Sequence, residues 1–270
     1  MAHPRNQTVL ITGASSGVGA SSAMLFLDKG WNVVAVGRDM AKLEANLPAS
    51  SRLLRSVADI SRKDDVSRCV EQAIARFDAV DVLVNNAGYG ITGPFEFLTD
   101  EQIRRHFDTA VFGHMNMMRE LIPHMRRRRR GAIVNVTSEA GRIGFPYNSI
   151  YEAAKFGIEG FSESIRFELG LHGIRVKVVE PGQVKTDFSR NSDEARAPEL
   201  RGAYKGFEKI EKLMRDPDAG VEPAKIAAVV YEAAVSTSGK LRYPASAISL
   251  TVLPFLPDVL VRTIMRRLMR

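Results

Sequence analysis

The chain has a single cysteine, Cys69, among its 270 residues, so no disulfide can form within it. Disulfides are characteristic of oxidising compartments, and a chain without them is in keeping with a reducing one. We therefore expect a cytoplasmic protein. The proportions of hydrophobic residues, 45%, and charged residues, 26%, are those of an ordinary globular protein.

Long apolar runs are also missing. A membrane-spanning helix needs about 20 consecutive apolar residues, and the most apolar late segment, 243–261, is interrupted by prolines. Residues 1–8 are polar, and the first apolar run, 9–11, ends at a Thr-Gly pair. We therefore expect neither a membrane span nor a signal peptide.

The positive charge, +7 with an isoelectric point near 9.6, is concentrated in the run Arg126–Arg130 and in the tail after residue 261. An arginine run can bind phosphate or an anionic membrane. Cations at a helix end also complement the helix dipole, and we favour this interpretation, a solvated helix end. No aromatic residues interleave the run, so no nucleic-acid partner is expected. The five histidines show no metal-ligand spacing, so no metal is expected either.

The chain alternates between short apolar runs and segments of helical periodicity. The runs are nearly continuous, which is typical of strands buried on both faces of a parallel sheet. We therefore predict an α/β fold, a doubly wound, Rossmann-like parallel sheet with helices on both faces in a single domain. The predicted strands are 9–11, 31–36, 52–58, 80–85, 132–136 and 176–180, and the main predicted helices are 39–47, 64–77, 100–127, 150–170, 199–214 and 223–235.

Two boundaries are predicted in the second half of the chain. Residues 1–244 form the dinucleotide-binding and catalytic domain, including a polar substrate loop at 187–220. Residues 245–270 form an amphipathic extension, whose last part, 257–270, places apolar residues among four arginines. Three interpretations of this tail stay open: a lid over the substrate site, a subunit contact and a peripheral membrane anchor.

A glycine-rich segment follows the first strand, reading Thr-Gly-Ala-Ser-Ser-Gly-Val-Gly over residues 12–19. Glycines between a strand and a helix let backbone amides approach a pyrophosphate, which also gains from the helix N-terminus. The spacing differs from the usual G-x-G-x-x-G fingerprint. Its position directly after the first strand nevertheless favours a dinucleotide site over a simple turn.

The end of the second strand bears on the choice of nucleotide. NAD-dependent enzymes place an acid there for the ribose 2′-hydroxyl, whereas an arginine accommodates the 2′-phosphate of NADP. Gly37 occupies the expected position of the acid and Arg38 follows it. We therefore predict NADP(H), with NAD less favoured. The alternative is a solvated Arg38, with Asp39 capping the next helix.

A serine, a tyrosine and a lysine form the candidate catalytic group. Ser138 follows the fifth strand, and Tyr151 and Lys155 lie four residues apart, on one face of the next helix. A nearby ammonium lowers the pKa of a phenol, so we expect Tyr151 to exchange protons near neutrality. The serine hydroxyl would hold the substrate oxygen.

Taken together, these motifs resemble the short-chain dehydrogenase/reductase family over about residues 8–186 and more loosely 220–244, especially its hydroxysteroid and retinol dehydrogenase branch. The resemblance implies hydride transfer between nicotinamide and a carbonyl or carbinol carbon, with Tyr151 as acid/base. It also implies adenine contact by Asp59, ribose contact by the Asn-Asn-Ala-Gly turn and Lys155, and carboxamide contact by the Pro-Gly stretch and Thr186. The expected cofactor-binding residues are Gly13, Ser15, Ser16, Gly17, Val18, Gly19, Arg38, Asp59, Asn85, Ala87, Gly88, Tyr151, Lys155, Pro181, Gly182, Val184 and Thr186.

One position departs from the family pattern. Ala110 stands where the family usually has an asparagine that helps to hold a water next to the lysine, largely through its main-chain carbonyl. Alanine keeps that carbonyl and loses the side chain that braces the helix. The departure predicts reduced or differently tuned activity.

The expected substrate is a hydrophobic ketone or secondary alcohol, steroid-, retinoid- or lipid-like, in an apolar pocket. Its expected lining is Ile143, Phe145, Tyr147, Phe188 and Phe207. The alternatives are a small or acyl-chain ketone and, from another class, a non-catalytic NADP-binding sensor or scaffold. The helices 100–127 and 150–170 resemble the family's dimer-forming helices, so a homodimer or homotetramer is expected.

Overall fold

A computed structural model describes residues 6–186, 188, 192–194, 202–204, 206–214, 216, 219–247 and 249–269. Seven parallel strands form one sheet in the order β3-β2-β1-β4-β6-β7-β9, and β5 pairs with β8 in a small second sheet. The strands are β1 (Thr8–Thr12), β2 (Asn32–Gly37), β3 (Leu53–Val57), β4 (Val82–Asn85), β5 (Ile91–Thr92), β6 (Gly131–Val136), β7 (Ile174–Pro181), β8 (Asp193–Glu194) and β9 (Arg242–Ala245).

The helices cover both faces of the large sheet. One face packs against α1 and α8 and the other against α3, α5 and α6, so the apolar strand residues are buried on both sides. The predicted doubly wound α/β fold is therefore confirmed. The helices are α1 (Gly17–Asp28), α2 (Met40–Asn46), α3 (Lys63–Phe77), α4 (Asp100–Phe107), α5 (His114–Arg127), α6 (Ser149–Gly170), α7 (Phe207–Met214), α8 (Pro223–Val235), α9 (Ser249–Val252) and α10 (Asp258–Leu268). In the described part of the chain, no helix combines the length and apolarity that crossing a bilayer requires.

The predicted helix 100–127 is interrupted. A π-helical segment, Asp108–Gly113, separates α4 from α5. At its end, a Cβ on Gly113 would lie 2.6 Å from Ile60 Cγ1, so the backbone approaches the β3–α3 connection closely. π-helical turns often occur at functional sites, and this one contains Ala110.

Two further segments differ from their predictions. β9 at the sheet edge was not predicted; it carries Pro244, and an edge strand is where proline is tolerated. The predicted helix 199–214 corresponds to α7, which begins at Phe207. Residues 199–201 and 205 of the predicted span lie outside the described residues.

The arginine run is a solvated helix end, as predicted, except that Arg128 and in part Arg130 also pair with a buried carboxylate. Arg128 and Arg130 each donate to Oδ1 of Asp81, at 2.9 and 2.8 Å, and Asp81 is only 4% exposed. The other carboxylate oxygen accepts the backbone N–H of Thr8 at 2.9 Å. Only Arg126 and Arg127 match the solvated interpretation fully. The run therefore joins α5 to the amino ends of β1 and β4.

The C-terminal extension packs on the substrate side of the domain. Met265 of α10 is buried against Ile143 and Ala247, with Phe145 and Leu268 at the margin of this cluster. Leu268 also lines the main cavity described below. This packing is compatible with the lid interpretation, but the division at residue 244 and all three interpretations of the tail stay predictions.

Candidate active site

The carboxyl ends of the parallel strands open into a large cleft. Its volume of about 1640 Å³ exceeds the roughly 300–1,000 Å³ of a typical small-molecule pocket. The predicted residues that line it are Gly13, Ser15, Ser16, Gly17, Val18, Arg38, Asp59, Ala87, Gly88, Ser138, Tyr151, Lys155, Pro181, Gly182, Val184 and Thr186.

The glycine-rich turn has a backbone that other residues would strain. Gly13 and Gly17 adopt φ of +66° and +53°, and a Cβ on Gly19 would lie 2.1 Å from the carbonyl oxygen of Gly13. α1 begins here with no acidic residue in its first turn, and the Ser16 side chain makes no capping bond. The positive end of the helix dipole therefore faces the cleft unopposed, which fits an anionic pyrophosphate.

Polar side chains behind the cleft hold this turn against β4. Asn86 donates from Nδ2 to the carbonyls of Thr12 and Gly13, at 3.0 and 3.3 Å, and the Thr12 hydroxyl accepts the N–H of Asn86 and of Ala87. Of the predicted cofactor residues, Asn85 and Gly19 support the cleft without lining it. Thr12 and Asn86 were not predicted as site residues, although both lie in quoted motifs.

The end of β2 is closely packed around its last residue, Gly37. A Cβ on Gly37 would lie 3.2 Å from Ser15 Cβ and 3.3 Å from Leu43 Cδ2. Arg38 is exposed and lines the cleft, while Asp39 caps α2 by accepting the Lys42 N–H at 3.2 Å. The cleft is therefore bordered at the end of β2 by a guanidinium and not by a carboxylate.

Ser138, from the segment after β6, is brought to the same cleft as Tyr151 and Lys155 of α6. The hydroxyl of Ser138 accepts the Ala140 N–H at 3.1 Å, and it lies close enough to the Tyr151 phenol to lower the pKa of that group. Lys155 Nζ lies 5.6 Å from the Tyr151 ring centroid. Serine and tyrosine hydroxyls that lie near each other in one cleft can both hold the oxygen of a carbonyl or alcohol.

The electrostatics of this group differ from the expected lowered pKa of Tyr151. Burial raises the pKa of Tyr151 to about 12, assisted by the charges of Glu139 and Glu152 and opposed by the hydrogen bond from Ser138. Burial likewise lowers the pKa of Lys155 to about 8, and its ammonium donates to the Val136 carbonyl at 3.2 Å. The Lys155 ammonium is thus directed to a backbone carbonyl. Burial is therefore the dominant influence on the pKa of the Tyr151 phenol.

The surroundings of Ala110 contain a buried histidine that was not predicted. Ala110 packs against Ala154 and Ile158 of α6, which precede and follow Lys155 in the sequence. His114, one turn after Ala110, binds the Ala87 carbonyl through Nε2 at 2.8 Å. Burial and the charge of Lys155 lower the pKa of His114 to about 3, so this ring is neutral and Nε2–H is the donor. The start of α5 is therefore tied to the turn after β4.

Aromatic side chains border the reacting hydroxyls on the substrate side. Phe145 and Phe188 line the cleft, and the Phe188 ring lies 6.0 Å from that of Tyr151. Of the other residues predicted for the pocket, Ile143 and Phe207 are buried filler, and Tyr147 packs on Phe207 at 5.2 Å. Among the described residues, no three His, Cys, Asp or Glu side chains group as metal ligands do.

Comparison with known proteins agrees with this geometry. The family model described as short chain dehydrogenase matches residues 7–197. The 3-ketodihydrosphingosine reductase of Bacteroides thetaiotaomicron is 35% identical over 226 residues, 83% of this chain and 82% of that protein. Human retinol dehydrogenase 8 is 40% identical over 187 residues, 67% of this chain and 60% of that protein.

Solved structures share the whole architecture. A short-chain dehydrogenase from Streptomyces avermitilis superposes with a TM-score of 0.85 at 28% identity, covering 99% of this chain and 96% of that one. A 3-ketoacyl-(acyl-carrier-protein) reductase from Brucella melitensis, complexed with NADH, superposes with a TM-score of 0.73 at 29% identity. The match covers 89% of this chain and 97% of that one. The chain therefore belongs to the short-chain dehydrogenase family and is an oxidoreductase of that family.

Proposed function

We propose that this chain is an NADP(H)-dependent oxidoreductase that interconverts a carbonyl and an alcohol on a hydrophobic substrate, with Tyr151 as acid/base. The observation that carries the proposal is that Ser138, Tyr151 and Lys155 line the same cleft as the glycine-rich turn. A bound nicotinamide there would supply or accept a hydride. The names of the relatives, a ketone reductase and a retinol dehydrogenase, support the same reaction class.

The residues of the chain account for the proton and for the position of the carbonyl. Ser138 and Tyr151 would hold the carbonyl oxygen, which becomes more basic as the carbon accepts a hydride. Tyr151 then donates its phenolic proton to that oxygen, which completes the alcohol. The raised pKa of Tyr151 keeps this proton in place over the whole neutral range, which favours the reductive direction. Lys155 and Thr186 would hold the nicotinamide side of the cofactor.

The preference for NADP(H) rests on Arg38 and Gly37. Arg38 places a guanidinium on the cleft, and Gly37 offers no carboxylate for a ribose 2′-hydroxyl. A guanidinium binds phosphate through charge-assisted, bidentate hydrogen bonds.

A titration of NADPH and NADH tests the cofactor, following nicotinamide fluorescence with wild-type protein, Arg38→Asp and the exposed control Arg127→Asp. We expect Arg38→Asp to weaken NADPH binding about 10- to 100-fold, as the loss of one or two charge-assisted hydrogen bonds would. NADH binding should change little, and the control should bind as wild type. Equal loss for both nucleotides would contradict the NADP assignment, and failure to bind either would contradict the whole proposal.

The reaction is tested by adding hydrophobic ketones to the NADPH complex and following the absorbance of NADPH. Turnover that Tyr151→Phe abolishes is expected. NADPH binding without turnover of any ketone or alcohol would instead favour the non-catalytic sensor. Turnover restricted to small or acyl-chain ketones would favour that alternative substrate class over steroid-, retinoid- or lipid-like ones.

We also propose a homodimer or homotetramer that buries the outer face of α6. Phe156 and Phe167 are 45% and 65% exposed on this face, and Gly160 between them leaves space for close approach. Light scattering after gel filtration of wild-type protein and Phe156→Glu measures the oligomer. A monomeric wild-type protein would contradict the proposal.

Two further proposals concern location, namely a cytoplasmic protein and peripheral contact of the C-terminal segment with membrane. Val259 and Leu260 are about half exposed beside Arg262 on α10, which supports the second. Fractionation of cells that express the full chain and a form without residues 257–270 tests both. Sedimentation with membrane that persists in the truncated form would exclude this segment as the anchor.

A further inference from the structure

The carboxylates near the active site differ in how their charge is compensated. Glu159 and Glu180, both buried, are approached by Arg242 at 3.0 and 3.7 Å, and Arg142 lies 3.4 Å from Glu180. Cationic partners of this kind are what a buried carboxylate requires to stay ionised. These two side chains lie behind the cleft and belong to the scaffold.

Glu152 and Glu139 are the two carboxylates whose charges raise the pKa of Tyr151, and neither forms an ion pair with another described residue. The carboxylate of Glu152 accepts the backbone N–H of Phe145, and burial raises its pKa to about 7. The carboxylate of Glu139 accepts a hydrogen bond from the hydroxyl of Ser249, which belongs to α9. In the part of the chain that the structure describes, no lysine, arginine or histidine forms an ion pair with Glu139.

Glu139 differs from Glu152 in its access to the substrate. It directly follows Ser138, begins the short 3₁₀ turn Glu139–Gly141, and lines the cleft. Its charge acts on Tyr151, where it opposes ionisation of the phenol. Because Glu139 adjoins Ser138 in the chain and lines the same cleft, a ligand whose oxygen is held by Ser138 and Tyr151 would place its neighbouring atoms in the part of the cleft that Glu139 helps to line.

A carboxylate without a cationic partner at this position disfavours the binding and reduction of a neutral ketone. Burial raises the pKa of Glu139, which shows that its charge is poorly solvated. The same charge opposes negative charge that develops on Tyr151 or on the substrate oxygen. A cation on the substrate removes both penalties, because it pairs with the carboxylate and offsets the developing negative charge.

Resting on the proposed function, we propose that Glu139 is an anionic subsite that binds an ammonium group one or two bonds from the reacting carbon. The substrate class is then an amino ketone or amino alcohol, with its apolar remainder against Phe145 and Phe188. Ser249 orients the carboxylate from the C-terminal segment. A neighbouring hydroxyl in place of the ammonium is a different outcome, which the test separates.

The test compares three long-chain ketones of equal length with NADPH at neutral pH: a 2-amino-3-ketone, its N-acetyl derivative and the 2-hydroxy-3-ketone. We expect wild-type kcat/KM to be at least about tenfold higher for the free amine than for the other two, as one charge-assisted hydrogen bond can supply. Glu139→Gln keeps the shape and removes the charge, and it should bring the ratio of amine to acetamide close to one. The control Glu232→Gln, on the exposed surface of α8, should retain the wild-type ratio.

Equal kcat/KM for the amine and the acetamide in the wild-type protein would overturn the subsite, as would an amine preference that persists in Glu139→Gln. A preference for the hydroxy ketone would also overturn it. Failure of the proposed function is distinguishable, because then the acetamide is not reduced either, or Tyr151→Phe reduces it as well as wild type. Calorimetric binding of a long-chain amino alcohol to the NADP⁺ complex adds a readout without turnover. Glu139→Gln should weaken that binding about tenfold while NADP⁺ affinity shows that the variant is folded.

Discussion

The two ends of the central sheet use charged residues in opposite ways. At the amino end, Asp81 is buried with Arg128, Arg130 and the Thr8 N–H on its oxygens. At the carboxyl end, Arg38 and Glu139 line a cleft with no opposite charge paired to either among the described residues. Paired charges fix neighbouring elements, whereas the charges that line the cleft are placed for ligands. Changes at the first end should therefore affect stability, and changes at the second should affect turnover.

The largest effect is expected at the carboxyl end, from Tyr151→Phe. This variant removes the proton donor and keeps the ring, so kcat should fall about 10²- to 10⁴-fold with little change in Tm. Ketone reduction followed through NADPH absorbance measures it. A Tm that falls in parallel with kcat would mean that Tyr151 matters for folding and would break the comparison.

A second large effect is expected in the glycine-rich turn. In Gly19→Ala the new Cβ would lie 2.1 Å from the Gly13 carbonyl oxygen, so the turn must open and NADPH affinity should fall at least about tenfold. Fluorescence titration measures the affinity. Gly170→Ala is the matched control, because nothing lies within 4 Å of its Cβ position. Equal affinities of the two variants would show that the turn does not hold the cofactor.

At the amino end, Asp81→Asn should destabilise the protein without changing catalysis. Removing the shared charge leaves Arg128 and the Thr8 N–H less well satisfied and should lower the free energy of unfolding by about 1–3 kcal/mol. Arg130 contributes little to this, since it is 59% exposed. Denaturant unfolding measures the change, and Asp258→Asn, which breaks the exposed pair with Arg262, serves as control. A loss of kcat/KM with unchanged stability would contradict the division between the two ends.

The pH dependence of reduction is expected to follow Lys155. Its pKa is lowered to about 8, so the ammonium is present below that pH and is lost as the pH rises through it. kcat/KM should therefore be level at neutral pH and fall by about tenfold per pH unit above about 8, while Tyr151, with its pKa near 12, stays protonated. Glu152, whose pKa is about 7, titrates below this range. The variant Glu152→Gln should therefore show the same decline above pH 8. A profile level to pH 10 would contradict a role for the ammonium.

The smallest effect is expected from Ala110→Asn. The site is closely packed on α6 around Lys155, and a new amide there would alter the surroundings of the ammonium by about 0.5–1 kcal/mol, a two- to fivefold change in kcat/KM. The pH profile is the sharper measurement, because its midpoint should move with the pKa of Lys155. Identical profiles of the two proteins would contradict any tuning by Ala110.

Much of the fold could be read from local signals. Continuous apolar runs such as Val9–Ile11 and Val82–Val84 indicated buried parallel strands, and Gly13, Gly17 and Gly19 marked the phosphate turn because no other residue tolerates their backbone. β9 was missed because its pairing with β7 is a long-range contact at the sheet edge. The interruption of 100–127 was missed because a π turn keeps helical periodicity on both sides.

Charge compensation could not be read in the same way. The run Arg126–Arg130 looks uniform in the sequence, and only the strand order brings Arg128 and Arg130 to Asp81, more than forty residues earlier. The pKa of Tyr151 was expected to fall because Lys155 is near in sequence. It rises because burial depends on what the rest of the chain places around the phenol.

The sequence by itself determined the parallel sheet, the dinucleotide turn and the Ser138, Tyr151 and Lys155 group, since each depends on residue type and short spacing. Only the tertiary structure decided which charges are compensated, that His114 joins α5 to the turn after β4, and that α9 and α10 reach Glu139 and the cleft. The physical reason is that periodicity and backbone freedom are local properties. Solvation and electrostatic pairing depend on the distances between residues far apart in the chain.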